Sequence, residues 1–147
     1  ALKTIGLPLQ TGGTDNHLML CDVTVYGLTG KQAEAALFEC GITANANALP
    51  YDKNGAWWTS GVRLGTPALT TLGMNENDMK EVASILDFVL KGTKPGVAKD
   101  GKPAKGKIVL DPAVKEEATK RVKALLSAHV LYPELDLDFL KKEFVNC

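Results

Sequence analysis

The spacing of hydrophobic positions along the 147 residues changes several times, and each change marks an element. Leu18 to Val25 form a short apolar run, β-branched toward its end, between Gly12-Gly13 and Gly27. The run predicts a strand buried on at least one face. From Thr29 the spacing turns helical, with Ala33, Ala36, Leu37 and Cys40 on one stripe. Thr29 can cap the first turn, Gln32 occupies the reciprocal position of a capping box, and Gly41 supplies a left-handed stop. Ile42 to Ala44 predicts a short strand. Asn45 to Trp58 predicts a loop, because Asn45, Asn47, Pro50, Asp52, Asn54 and Gly55 are turn formers. Thr59 to Leu64 reads as another strand, ending at Gly65-Thr66-Pro67, and a short helical turn precedes Gly73.

The clearest helix runs from Asn75 to Lys91, with Met79, Val82, Ala83, Leu86, Val89 and Leu90 on one face. Asn75 caps it, Glu76 and Asp78 suit its positive end, and Lys91-Gly92 close it. Residues 92–107 break the pattern. Glycine, proline and lysine dominate, so a solvated, mobile insertion is expected, with contact to an anionic surface as its functional alternative. Asp111-Pro112 opens a long helix whose stripe is Val114, Ala118, Val122, Leu125 and Leu126. Pro133 interrupts it, and Leu137, Leu140 and Phe144 predict a last short amphipathic helix. The order β-α-β-loop-β-α-α over one domain, residues 1–147, predicts a small α/β (α+β) two-layer sandwich. A three- or four-stranded sheet with helices on one face is the simplest solution.

Composition narrows the function classes. Lys+Arg and Asp+Glu are 17 each, which argues against a nucleic-acid partner held by charge. No apolar run approaches the roughly 20 residues of a membrane span, and no secretory signal pattern opens the chain. Cys21, Cys40 and Cys147 are odd in number and scattered, as expected of reduced thiols in a cytoplasmic protein. His17 and His129 share no ligand spacing with cysteines or carboxylates, so no metal site is expected. Gly12-Gly13 lacks the rest of a phosphate loop, and Ser60-Gly61 lacks a nucleophile elbow. A chain opening at Ala1 rather than methionine is expected to have been cut from something longer.

Three segments carry a resemblance. Gly12-Gly13-Thr14-Asp15-Asn16-His17-Leu18, Leu28-Thr29-Gly30-Lys31-Gln32-Ala33-Glu34, and the run from Thr59 through Arg63 to Thr70 resemble, in order and spacing, segments of the C-terminal small domain of serine hydroxymethyltransferases. The likeness is continuous from about Thr11 to Leu90 and weakens after Gly92. It implies a mostly antiparallel sheet, as in the C-terminal domain of fold type I pyridoxal-phosphate enzymes. It implies a parent enzyme that uses pyridoxal phosphate to interconvert serine plus tetrahydrofolate and glycine plus methylenetetrahydrofolate, as a homodimer or homotetramer.

Arg63 stands where the family's substrate-carboxylate arginine stands, and a planar guanidinium matches a carboxylate with two parallel donors. Asn47 stands at the family's folate-contacting position, where an amide can donate and accept at once, although a turn-forming role suits it equally. Trp57 and Trp58 are expected to pack or to form a subunit contact rather than to wall a folate site. Thr14, Asp15, Asn16 and His17 are expected to shape the strand entry.

The family's threonine- and histidine-rich stretch with its Schiff-base lysine has no counterpart here, nor do the phosphate-binding loop and the aspartate that pairs with the pyridine nitrogen. The N-terminal and cofactor-binding large domains are therefore expected to be absent. This chain alone is expected to hold no cofactor and turn over no serine. Two alternatives accompany this reading. One is a stand-alone binding or assembly module built from the same domain, favoured by residues 92–107. The other is a folate-independent parent that cleaves threonine-type β-hydroxy amino acids.

Overall fold

The computed structural model describes residues 1–144. Three strands form an antiparallel sheet in the order β1-β3-β2: β1 is Leu18–Asp22, β2 is Asn45–Asn47 and β3 is Gly61–Gly65. The central strand β3 pairs along all of β1, from Leu18 opposite Gly65 to Asp22 opposite Gly61. Its first half also pairs with β2, Asn45 facing Arg63 and Asn47 facing Gly61. Residues directly opposite in an antiparallel pair share a face. Cys21, Val62 and Ala46 therefore point to one side with Met19 and Leu64, while Leu20, Arg63, Asn45 and Asn47 point to the other.

The first side is the core. Helix α1 (Gly30–Glu39) lies on it with Ala33, Ala36 and Leu37, and α4 (Glu76–Lys91) packs on α1 with Ile85, Leu86, Val89 and Leu90. Helix α5 (Pro112–Ser127) covers α4, and Ala118 is its buried residue. Arg121 of α5 makes two bonds to the Glu81 carboxylate of α4, at 2.8 and 2.9 Å. The result is a small α/β two-layer domain with its helices on one face of the sheet, as the sequence predicts.

Both main caps are as expected. The Thr29 hydroxyl accepts from the Gln32 N–H while the Gln32 side chain accepts from the Thr29 N–H, and Asn75 and Asp78 do the same for α4. After α1, Gly41 (φ +82°) is left-handed, and the pair Gly41 N–H to Phe38 O and Ile42 N–H to Leu37 O forms a Schellman ending.

Four expectations are corrected. The first strand stops at Asp22, because the Asp22 carboxylate accepts from the Thr24 N–H and tightens residues Thr24–Tyr26 into a 3₁₀ turn. The strand expected at Ile42 to Ala44 lies at Asn45–Asn47 instead. Ile42 is engaged in the helix ending, and β3 selects the next residues as partners. The span 45–58 is therefore not all loop: it also contains a short helix, α2, at Gly55–Trp58.

The fourth correction concerns residues 92–107, which were expected as a loop. Thr93–Val97 (β4) and Pro103–Leu110 (β5) form an antiparallel hairpin around Gly101 (φ +79°). It is held from α1: Gln32 Nε2 donates to Ala104 O (2.6 Å) and Lys107 O (2.9 Å), and Thr29 Oγ1 donates to Lys105 O (2.7 Å). Its glycines serve close approach. A side chain at Gly106 would collide with the Trp58 ring, and one at Gly96 with Lys107.

Helix α3 (Pro67–Thr71) follows β3, and α6 (Leu137–Phe144) is the predicted C-terminal helix, with Leu137, Phe139 and Phe144 exposed. Among the described residues no helix is long and apolar enough to cross a membrane.

Candidate functional site

The sheet face opposite α1 carries the two residues singled out in sequence. Arg63 lies mid-strand on β3 and is exposed; Asn45 lies opposite it on β2, and Asn47 is two residues along the same strand and face. The Arg63 Nε donates to Asn45 Oδ1 at 3.0 Å. That bond fixes the guanidinium edge nearest the sheet. Among the described residues nothing binds its two terminal nitrogens, so a two-pronged donor faces outward.

The other arginine shows the contrast. Arg121 is closed by the Glu81 carboxylate and the Ser84 hydroxyl and lies 5.9 Å from the centre of the Phe88 ring. Arg121 is paired with a carboxylate, whereas Arg63 has no carboxylate partner among the described residues. Sequence reasoning took Asn45 for a turn former and missed its hold on Arg63. The two-residue spacing of Asn45 and Asn47 was the available signal, because it puts both on one face of a strand.

Asn47 donates from Nδ2 to Ala48 O at 2.8 Å, which leaves its Oδ1 as an acceptor. The chain beyond it is held by Asp52, a second residue read only as a turn former. Its carboxylate accepts from the N–H groups of Leu49 (3.0 Å), Asn54 (2.8 Å) and Ser60 (2.7 Å) and from the Ser60 hydroxyl (2.6 Å). Partial burial opposes its charge, but the bonds from Ser60, Leu49 and Asn54 prevail and hold the carboxyl below its ordinary value.

The clasp sets the path from β2 into β3 and so the position of Arg63. Asp52→Ala is expected to cost about 2 kcal/mol. Because the folded-state value is depressed, the native contribution is complete above about pH 4 and is lost as pH falls through that lowered value. Urea midpoints of the two proteins should therefore converge on acidification; a gap that widens toward low pH would contradict this.

The entry to β1 behaves as expected for two of its four residues. Asn16 Oδ1 accepts from the Leu18 N–H at 2.7 Å, and Thr14 Oγ1 accepts from the Asn16 N–H at 3.2 Å. The backbone carbonyl of His17 accepts from the Thr66 N–H at 3.3 Å, tying this entry to the end of β3. Trp58 packs on the hairpin at Gly106, as its expected packing role requires, whereas Trp57 is 75% exposed.

Cys21 and Cys40 are free thiols in the core, and Cys147 lies outside the described residues. Burial pushes the Cys21 thiol up to about 12, so it is unsuited to nucleophilic work. His129 Nε2 lies 3.3 Å from the Asp78 carboxylate, and its Nδ1 lies 3.2 Å from Leu72 O. Among the described residues no three of His, Cys, Asp and Glu come together as metal ligands would.

The described residues thus form a small α/β domain with an exposed arginine on one face of its three-stranded sheet. Comparison with known proteins identifies its family. The protein-family model described as serine hydroxymethyltransferase matches residues 1–86, and the chain belongs to that family. It is 53% identical over 136 residues to serine hydroxymethyltransferase of Salinispora tropica, covering 92% of this chain and 28% of that protein. The protein of the same name from Treponema pallidum is 50% identical over 141 residues, 96% of this chain and 25% of its own length. That of Chlamydia pneumoniae is 50% identical over 135 residues, 92% and 27%. The matched stretches run across the β4–β5 hairpin, and the chain spans about a quarter of the length of these curated relatives.

Proposed function

We propose that this chain is the C-terminal domain of a polypeptide that interconverts serine plus tetrahydrofolate and glycine plus methylenetetrahydrofolate, with Arg63 binding the amino-acid carboxylate and Asn47 the folate. The observation that carries the reading is the shared face. The outward-facing guanidinium of Arg63 and the amide of Asn47 stand on adjacent strands, on the sheet face opposite α1. Asn45 aligns the guanidinium, so a carboxylate can meet two parallel donors at little cost in side-chain entropy.

The family's cofactor, pyridoxal phosphate, acts as an electron sink when bound. The residues of this chain do not fit the covalent part of its binding. Every lysine is exposed, and several are engaged in surface bonds, such as Lys31 with Glu34 and Lys91 with Asp87. A Schiff-base lysine needs a desolvated site or a neighbouring cation to be active at neutral pH. The chain's contribution is therefore substrate orientation, while the covalent step falls to the remaining three quarters of the polypeptide. Homo-oligomeric assembly and a cytoplasmic location are part of the same proposal and rest on family membership.

The test is an assay of the whole polypeptide with serine, with and without tetrahydrofolate, beside the 147-residue chain alone. Folate-dependent glycine formation is expected from the first and none from the second. In the whole polypeptide, Asn47→Ala should raise the KM for tetrahydrofolate about tenfold and leave the KM for serine nearly unchanged, the size of one lost polar contact. Turnover by the short chain would overturn the division of labour. Equal rates without folate would turn the proposal to the folate-independent cleavage of β-hydroxy amino acids.

A further inference from the structure

The strand that carries Asn45 and Asn47 is held from outside the sheet by a residue of α1. β2 is the edge strand of the order β1-β3-β2 and is three residues long, so it brings few backbone bonds of its own. Its central residue, Ala46, stands between Asn45 and Asn47. The Ala46 N–H donates to Glu34 Oε1 at 3.0 Å, and Glu34 Oε2 lies 2.8 Å from Lys31 Nζ. The Ala46 carbonyl accepts from Asn45 Nδ2 at 3.2 Å, which turns Asn45 Oδ1 toward the Arg63 Nε. Ala46 is thus gripped at both of its backbone groups.

The helix that supplies the grip is itself anchored. Glu34 lies one turn beyond Gly30, on the same face of α1. The Gly30 N–H bonds to Thr59 O at 3.0 Å, on the chain entering β3. One helix face therefore holds the entry to β3 with one bond and the middle of β2 with the other, and so fixes the two strands against each other. A carboxylate suits this place. The outward N–H groups of an edge strand invite slippage, and a charged acceptor satisfies one of them with a stronger bond than a neutral group would. Partial burial opposes the Glu34 charge, but the bonds from Lys31 and Ala46 prevail and hold the carboxyl below its ordinary value.

We propose that Glu34 is a positioning residue for the substrate site: through Ala46 it keeps Asn45 and Asn47 in register on β3, and through Asn45 it keeps the Arg63 guanidinium aligned for a carboxylate. A slip of β2 by one residue would turn both amides to the core side. The proposal rests on the assignment of Arg63 to the amino acid and Asn47 to the folate, and adds that the two share one support. A fault at Glu34 therefore has a signature that a fault at Arg63 or at Asn47 lacks, because it weakens the binding of both substrates together.

The experiment measures kcat and the KM for serine and for tetrahydrofolate in the whole polypeptide carrying Glu34→Leu, Glu34→Gln or Lys31→Met. Glu34→Leu removes the acceptor and should raise both KM values about fivefold, with kcat within about threefold of the parent. Glu34→Gln keeps an acceptor for the Ala46 N–H and should stay within about twofold on both, as should Lys31→Met, which removes only the ion pair. A residue that only stabilised the fold would lower the melting temperature and leave both KM values in place. If Glu34→Leu does not fold, Glu34→Asp keeps the charge but falls one methylene short of Ala46, and should raise both values about threefold. Unchanged KM values, a rise in only one of them, or a Glu34→Gln protein as impaired as Glu34→Leu would overturn the proposal. Arg63→Lys and Asn47→Ala, measured alongside, separate the two failures. If they raise the KM for serine and for tetrahydrofolate respectively while Glu34→Leu raises neither, this proposal alone fails. If they leave both values in place, the assignment of the site fails and this proposal with it.

Discussion

Arg63→Lys in the whole polypeptide should lower kcat/KM for serine by about 100-fold or more while leaving the melting temperature almost unmoved. The two halves of this expectation have separate physical causes. Lysine keeps the charge but offers a compact, strongly hydrated ammonium in place of a planar fork, so it cannot meet both carboxylate oxygens in parallel. It also lacks the Nε that donates to Asn45 Oδ1, and with that bond goes the alignment of the group along the sheet. Arg63 itself is exposed and contributes little packing, so exposed-site substitution should change stability by no more than about 0.5 kcal/mol. The combination separates a substrate residue from a structural one. Arg121→Lys should do the reverse, because its guanidinium is closed by Glu81 and Ser84 between two helices. An unchanged KM for serine in Arg63→Lys would remove Arg63 from the site.

How much of this was legible in the sequence follows from the range of the interactions involved. The caps at Thr29-Gln32 and Asn75, the stop at Gly41 and the stripe of α4 are set by residues within four positions of one another, and all were readable. The placement of β2 was not, because its partner β3 lies some fifteen residues on and the competing helix ending consumes Ile42. The β4–β5 hairpin was hidden for the same reason. Its glycines and prolines look like loop composition until Gln32 and Trp58, distant in sequence, are seen to need a bare backbone to approach. At the site, motif chemistry alone singled out nothing. Arg63 and Asn47 came from resemblance, and what the fold adds is that they share a face and that Asn45 and Asp52 hold them in place.

The largest stability effect is expected at Gly30, the first residue of α1. Gly30→Ala should destabilise the domain by about 4 kcal/mol, lowering the melting temperature by roughly 10 °C or more. The Gly30 N–H bonds to Thr59 O at 3.0 Å, which draws the helix start onto the chain entering β3. An added methyl there would overlap both Thr59 Oγ1 and the carbonyl oxygen of Gly61. Neither can retreat easily. Thr59 is a β-branched residue already held at φ +55°, and Gly61 is fixed between β1 and β2. Gly27 supplies the comparison: it has φ +72° but open space around it, so Gly27→Ala should cost only about 1 kcal/mol, the left-handed backbone penalty alone. Adding Thr59→Gly to Gly30→Ala removes the hydroxyl and the constraint on φ but not the Gly61 oxygen, so rescue should be partial. Full rescue would place the whole conflict in the side chain; no rescue would place it in the β3 backbone. That backbone is two residues from Arg63, so in the whole polypeptide any shift that accommodates the methyl should also weaken serine binding. Measuring KM for serine beside the melting temperature of each variant tests whether the tight crossing at Gly30 sets the register in which the guanidinium is presented.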